Sequence, residues 1–279
     1  MKDYNMFEVS IAKNLFRDAI QSIFPREHIA YAFLTGPFTF GSAKHDIDIV
    51  VVIDEDKLQP FEKEKYIEKI LTFVEKYLRI HKFLGYIPDL DFPSDVVTTS
   101  QIEDAINGRG FDIKNDKLYL REIKTKEDYL DNKIDYRVYL WELITSYEGF
   151  ILGNYPKYIV DMQRALETIL LFCLSNIEEN ETTLECIKEK IIVLPGLDSR
   201  YKVISNYLEP LIKYMLKIMN SQGYIVNKEN YFLLNKEKIQ QWESSIIKRH
   251  KENRWKGKSL FESWDILRLH AKKIINDFL

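Results

Sequence analysis

The sequence predicts an α+β protein, with an N-terminal mixed sheet and flanking helices over residues 1–125 and an all-helical C-terminal domain over residues 126–279. Three observations carry this prediction. The first half alternates helical spacing with short apolar runs, whereas the second keeps helical spacing almost throughout. The net charge changes from −4 over residues 1–125 to +1 over the rest. The chain is also rich enough in hydrophobic residues, 46% against 30% charged, for either half to bury a core.

In chain order, Phe7, Ile11, Leu15, Phe16, Ile20, Ile23 and Phe24 recur at helical spacing, predicting a helix over Phe7–Phe24. Ile29–Thr35 is a continuous apolar run closed by Gly36-Pro37, which predicts a buried strand. Asp46–Ile53, rich in Ile and Val, predicts a second strand, and Leu58–Ile80 returns to helical period. A third strand is expected within Tyr86–Val97, and Phe111–Leu120 predicts a hairpin turning at Asn115-Asp116. Beyond residue 130, helices are expected over Tyr136–Ile151, Tyr158–Asn176, Thr183–Ile192, Tyr201–Met219, Lys236–His250 and Leu260–Phe278. Turn-forming residues at Asn154-Tyr155-Pro156, Pro195-Gly196 and Ser221-Gln222-Gly223 separate several of them.

Composition narrows function by exclusion. Two cysteines without a CxxC pair, and five histidines, do not make a zinc ribbon or a disulfide scaffold. No apolar run has the length of a membrane span, and the N-terminus lacks a secretory apolar stretch, so a cytoplasmic location and no membrane partner are expected. A net charge of −3 withholds the overall basic character of a dedicated DNA binder.

The informative stretch is Thr35-Gly36-Pro37-Phe38-Thr39-Phe40-Gly41-Ser42-Ala43-Lys44-His45-Asp46-Ile47-Asp48. A buried strand ends at a glycine turn, and an Asp-Ile-Asp triplet opens the next strand. Residues two apart on a strand face the same side, so Asp46 and Asp48 project together while Ile47 and Ile49 face the other way. Two like charges on one face call for a cation between them. Mg²⁺ is the natural candidate, being commonly held by one or two carboxylates together with substrate phosphates. A turn without a side chain at Gly36 lets backbone approach such a phosphate closely.

These residues resemble the polymerase-β-like nucleotidyltransferase superfamily, whose pattern is an apolar strand, Gly-Ser, a gap, an Asp-h-Asp/Glu-h segment and a third carboxylate on a later strand. The resemblance covers roughly residues 29–97, with Gly36 as the glycine and Asp46 and Asp48 as the metal-binding pair. It implies that Asp91, between Leu90 and Phe92, is the third carboxylate; Asp89 shares its face as the alternate, and Asp95, following Pro93, reads as the start of a loop. Pro37 departs from the pattern, offering neither the hydroxyl nor the N–H of the usual serine, and Thr35, Thr39 or Ser42 is left to replace it. Size, the acidic front half and the helical rear half further resemble small bacterial antibiotic nucleotidyltransferases of the aminoglycoside and lincosamide type.

The resemblance implies Mg²⁺-dependent transfer of a nucleoside monophosphate, AMP foremost, from a nucleoside triphosphate to a hydroxyl of a small-molecule acceptor, with release of pyrophosphate. Asp46, Asp48 and Asp91 would be catalytic and hold the metal, two ions in number. Gly36, Thr39, Ser42 and Lys157 would contact the nucleotide, Lys157 lying seven residues before Arg164 on one helix face. An RNA or protein acceptor is the alternative, favoured by the basic segment Lys248–Lys258 with Trp255 inside it. A second alternative is an inactive nucleotide- or protein-binding module, for which Pro37 argues. The bland readings of the remaining features are a helix-ending turn for Gly108-Arg109-Gly110, a solvated helix face for Glu142 and Glu148, and a charged connection for the basic segment.

Overall fold

The computed structural model describes residues 2–40, 46–58, 63–88, 95–120, 136–146, 148–192, 202–257, 273–274 and 276–277. It is a mixed α+β protein whose chain divides into two compact units. One comprises Met1–Glu103, Thr145–Val160 and Gly257–Leu279; the other comprises Asp104–Ile144 and Asp161–Lys256. These units do not follow the expected division at 125/126. Both are discontinuous in sequence: residues 104–125 fall in the second, while residues 145–160 and 257–279 fall in the first.

The first unit is built on strands β1 (Ile29–Thr35), β2 (Asp48–Ile53), β3 (Asp95–Thr98) and β6 (Phe150–Gly153), in spatial order β3-β2-β1-β6. β1 is antiparallel to both β2 and β6, while β2 and β3 run parallel. All seven residues of β1 are buried, which explains a continuous rather than alternating apolar run. Helices α1 (Lys2–Ile23) and α2 (Lys63–Leu84) belong to the same unit. Ala12, Phe16, Ala19 and Ile20 form the buried stripe of α1, and Tyr66, Ile70, Phe73, Val74, Tyr77, Leu78 and His81 that of α2. These stripes share a core with Ala32, Leu34, Ile49, Val51 and Ile53, one face of the sheet. The opposite face carries Tyr31 and Phe33, against which Tyr158 packs at ring separations of 5.7 and 5.5 Å.

Helix α3 (Thr99–Ile106) begins with reciprocal bonds between Thr98 and Gln101, each backbone N–H donating to the other's side chain. This capping box is visible in the sequence as Thr-x-x-Gln. The Glu55 carboxylate adds a second cap, accepting from the Ser100 N–H at 2.9 Å and from the Thr99 hydroxyl.

The second unit holds the hairpin of β4 (Phe111–Lys114) and β5 (Lys117–Leu120), turning at Asn115-Asp116 as the sequence predicts. Both turn residues have positive φ, 53° and 56°, as a two-residue type I′ turn requires. The unit also contains α4 (Tyr136–Ile144), α6 (Leu184–Ile192), α7 (Lys202–Ser221), α8 (Lys236–Lys251) and most of α5 (Tyr155–Ser175). Phe111 stacks on Phe172 of α5 at 4.8 Å and 15°.

The expectation of an all-helical region beyond 126 needs correction. The helix expected over Tyr136–Ile151 ends at Ile144, and β6 follows as a strand of the first unit's sheet. A small sheet of order β7-β9-β8 joins β7 (Glu181–Thr182), β9 (Phe232–Leu234) and β8 (Ile225–Asn227). Strands of two to four residues leave too few alternations for a period to be read, and β6 and β7 take partners distant in sequence, whereas β8 and β9 pair as neighbours. The helix expected over Leu260–Phe278 lies for the most part outside the described residues. Among the described residues, no helix is long and apolar enough to cross a membrane.

Candidate functional site

The site is assembled where β1 ends and β2 begins. Thr35, the last residue of β1, stands opposite Asp48, the first of β2. Gly36 then takes φ +72°, and residues 37–40 wind a single 3-10 turn. The left-handed backbone accounts for the glycine, and a second reason is close approach: a Cβ built on Gly36 would meet Asp48 Oδ2 at 2.5 Å. The Asp48 carboxylate therefore rests against the bare backbone of the turn.

Polar side chains hold this turn from below. Thr35 Oγ1 and Thr145 Oγ1 share a buried hydrogen bond of 2.8 Å. The Thr39 hydroxyl donates to the Gly36 carbonyl at 2.8 Å, with the Thr145 carbonyl 3.3 Å away. A hydroxyl has one proton to donate, and here Thr39 directs it to backbone carbonyls, so in this structure Thr39 braces the turn. Beside Thr145, Ser146 and Tyr158 join hydroxyls at 2.7 Å, and burial pushes the Tyr158 phenol up to about 12, so it stays protonated. Gly149 completes the frame: its carbonyl accepts from the Leu34 N–H at 2.9 Å.

Asp46 and Asp48 are both half-buried, on either side of Ile47, whose side chain is wholly buried in the core. The strand ladder starts at Asp48, so Asp46 lies just outside it, one residue pair short of the expected strand. The Ile47 N–H donates to His81 Nε2 of α2 at 2.9 Å.

The sheet also brings in a carboxylate ranked last by the sequence pattern. Asp95, the first residue of β3, is in register with Val50. Paired residues of neighbouring strands share a face, and Val50 is two residues beyond Asp48, so Asp48 and Asp95 lie on one face of the sheet. Strand geometry puts their Cα atoms about 8 Å apart. The signal was present in the sequence as Asp95-Val96-Val97, but Pro93 made its start read as loop. Asp89, Asp91 and Ser42 lie outside the described residues.

Lys157 lies in the first turn of α5. Its N–H is capped by Asn154 Oδ1 at 3.1 Å, and the Asn154 N–H donates to the Ala30 carbonyl.

Carboxylate oxygens from Asp46, Asp48 and Asp95, beside a side-chain-free turn, are the donor chemistry that suits Mg²⁺. Among the described residues no three His, Cys, Asp or Glu side chains are gathered to hold a metal.

Two of the plainer readings stand and one needs correction: Glu142 lies on a largely buried helix with its Oε2 buried rather than solvated, and Glu148, at φ 52°, sits in a turn beyond the end of α4 rather than on a helix face. Gly108, at φ 94°, ends α3 with the Arg109 N–H donating to the Asp104 carbonyl. In the basic segment, Lys251 pairs with Asp116 at 2.8 Å, Arg254 with Glu252 at 2.5 Å and Lys248 with Glu252 at 4.0 Å. Trp255 packs edge-on against His250 at 4.7 Å.

Comparison with family models, with curated proteins and with solved structures returns no match.

Proposed function

We propose that this protein is a Mg²⁺-dependent nucleotidyltransferase that transfers a nucleoside monophosphate from a nucleoside triphosphate to a hydroxyl of a small-molecule acceptor. The observation that carries the reading is the Gly36 turn lying against the Asp48 carboxylate at the mouth of the β1–β2 pair. Asp46 and Asp48 would hold the metal together with triphosphate oxygens, and a third carboxylate would come from the segment leading into β3. Asp91 is the candidate by sequence pattern, and Asp95 by register. Bound there, Mg²⁺ supplies charge neutralisation and alignment for an in-line displacement. The acceptor oxygen bonds the α-phosphorus, the bond to pyrophosphate breaks, and the acceptor's proton is released.

The chain's own contribution is positioning. Gly36 leaves room for the Asp48 carboxylate against the turn, Thr39 and Thr145 fix the turn, and the sheet fixes the spacing of Asp48 and Asp95. The front half's net charge of −4 suits a cationic acceptor. The ion pairs within the basic segment weaken the case for an RNA acceptor.

The test is incubation with Mg²⁺, each α-labelled nucleoside triphosphate and a panel of hydroxyl-bearing acceptors. Label transfer that disappears in Asp46→Asn and Asp48→Asn is the expected result. Absence of transfer and of any Mg²⁺-dependent nucleotide binding by the wild-type protein would overturn the reading.

A further inference from the structure

The backbone between the two carboxylates is clamped by a group the proposed chemistry does not use. His81 is fully buried, at 0% exposure, near the end of α2. Its Nδ1 lies 2.9 Å from the Tyr77 carbonyl. A carbonyl only accepts, so Nδ1 carries the proton and Nε2 presents a lone pair, which takes the Ile47 N–H at 2.9 Å. The ring has little freedom to leave this position. Tyr77 lies against it at 4.0 Å, and Phe16 of α1 meets it edge-on at 6.3 Å.

Ile47 is therefore held twice, by a wholly buried side chain and by a buried hydrogen bond through its N–H. That N–H belongs to the peptide joining Asp46 to Ile47. Asp46 lies outside the β1–β2 ladder, so the register that fixes Asp48 does not fix Asp46. Like charges repel, and a mobile Asp46 would swing towards water and away from Asp48. The His81–Ile47 bond opposes that movement from the core side.

Resting on the proposed nucleotidyltransferase reading, we infer that His81 is a positioning residue: through Ile47 it holds Asp46 at the spacing from Asp48 that Mg²⁺ requires. It touches neither metal nor substrate and acts on the peptide between the ligands. Groups that orient metal ligands typically change metal affinity 10–100-fold when altered.

The experiment measures the Mg²⁺ concentration for half-maximal nucleoside triphosphate binding, by calorimetry with a non-hydrolysable analogue. The proteins are wild type, His81→Leu, His81→Gln and His81→Asn, each checked for folding by circular dichroism. The Gln carbonyl reaches about as far as Nε2 and can accept the Ile47 N–H, whereas the shorter Asn stops at about the depth of Nδ1. We expect the Mg²⁺ requirement to rise about tenfold or more in His81→Leu and His81→Asn, and Gln to restore it to within about threefold of wild type. Amide exchange at Ile47 should accelerate in Leu and Asn but not in Gln. An unchanged Mg²⁺ requirement in Leu, or equal losses in Gln and Asn, overturns the inference. Should Leu fail to fold, the Gln–Asn comparison decides alone. A wild-type protein that binds no Mg²⁺–nucleotide overturns the nucleotidyltransferase reading and this inference with it; normal wild-type binding with indifferent His81 variants overturns the inference alone.

Discussion

Asp48 Oδ2 occupies the space in which a side chain at Gly36 would begin, 2.5 Å from the position of its Cβ. The turn and the carboxylate are thus one feature, in which a missing side chain lets a charged group lie against the backbone. The atom in the way is the far end of a short side chain, so it can rotate aside. Gly36→Ala should accordingly cost only about 1–2 kcal/mol, chiefly for the left-handed backbone at φ +72°. Asp48 would be displaced, and Mg²⁺-dependent nucleotide binding should weaken by about tenfold or more. Urea denaturation and calorimetry on the same variant would separate the two effects; wild-type nucleotide binding would show that Asp48 has room to remain in place.

Gly149 is a contrasting case. A Cβ there would meet the Leu34 carbonyl oxygen at 1.9 Å and the Ser146 carbonyl oxygen at 2.7 Å, and backbone cannot rotate aside. Gly149→Ala must separate β6 from the end of β1, and overpacking of this kind costs about 3 kcal/mol or more. The expected outcome is a larger fall in urea midpoint than for Gly36→Ala. Equal midpoints would show that residues 146–149 can refold around the methyl group.

Half-buried His250 predicts the acid sensitivity of the second unit. Its Nε2 donates to the Gly108 carbonyl at 2.8 Å, and burial holds its pKa below the ordinary 6.5. An unfolded chain therefore takes up this proton at higher pH than the folded one. The stabilisation is complete above about pH 6.5 and is lost as pH falls through the lowered folded value. His250→Gln, which can still donate to Gly108, should flatten the decline in urea midpoint between pH 7.5 and pH 5. Parallel declines in the two proteins would assign the acid sensitivity to other groups.

Local chemistry was readable wherever it depended on neighbours in sequence. Ile29–Thr35 was a strand by its unbroken apolar run, and the Asn115-Asp116 hairpin by its turn residues. Gly36 and the Asp-Ile-Asp triplet stood out because both belong to one short stretch. β6 did not, since four residues following a helix carry no period of their own, and only pairing with β1 makes them a strand. Asp95 reads as loop in the sequence because it follows Pro93, although its place is set by the ladder to Val50.

By itself the sequence determined the mixed α+β character, the buried first strand, the glycine turn and the paired carboxylates, because each is a matter of period, backbone freedom or charge within a few residues. Tertiary structure alone decided that Asp48 lies against Gly36, that Asp95 shares its face, that Lys157 starts its helix at the far end of β1, and that His81 grips Ile47. Those relationships join residues up to about 125 positions apart, and they arise from strand register and core packing, which are specified by partners distant in the chain.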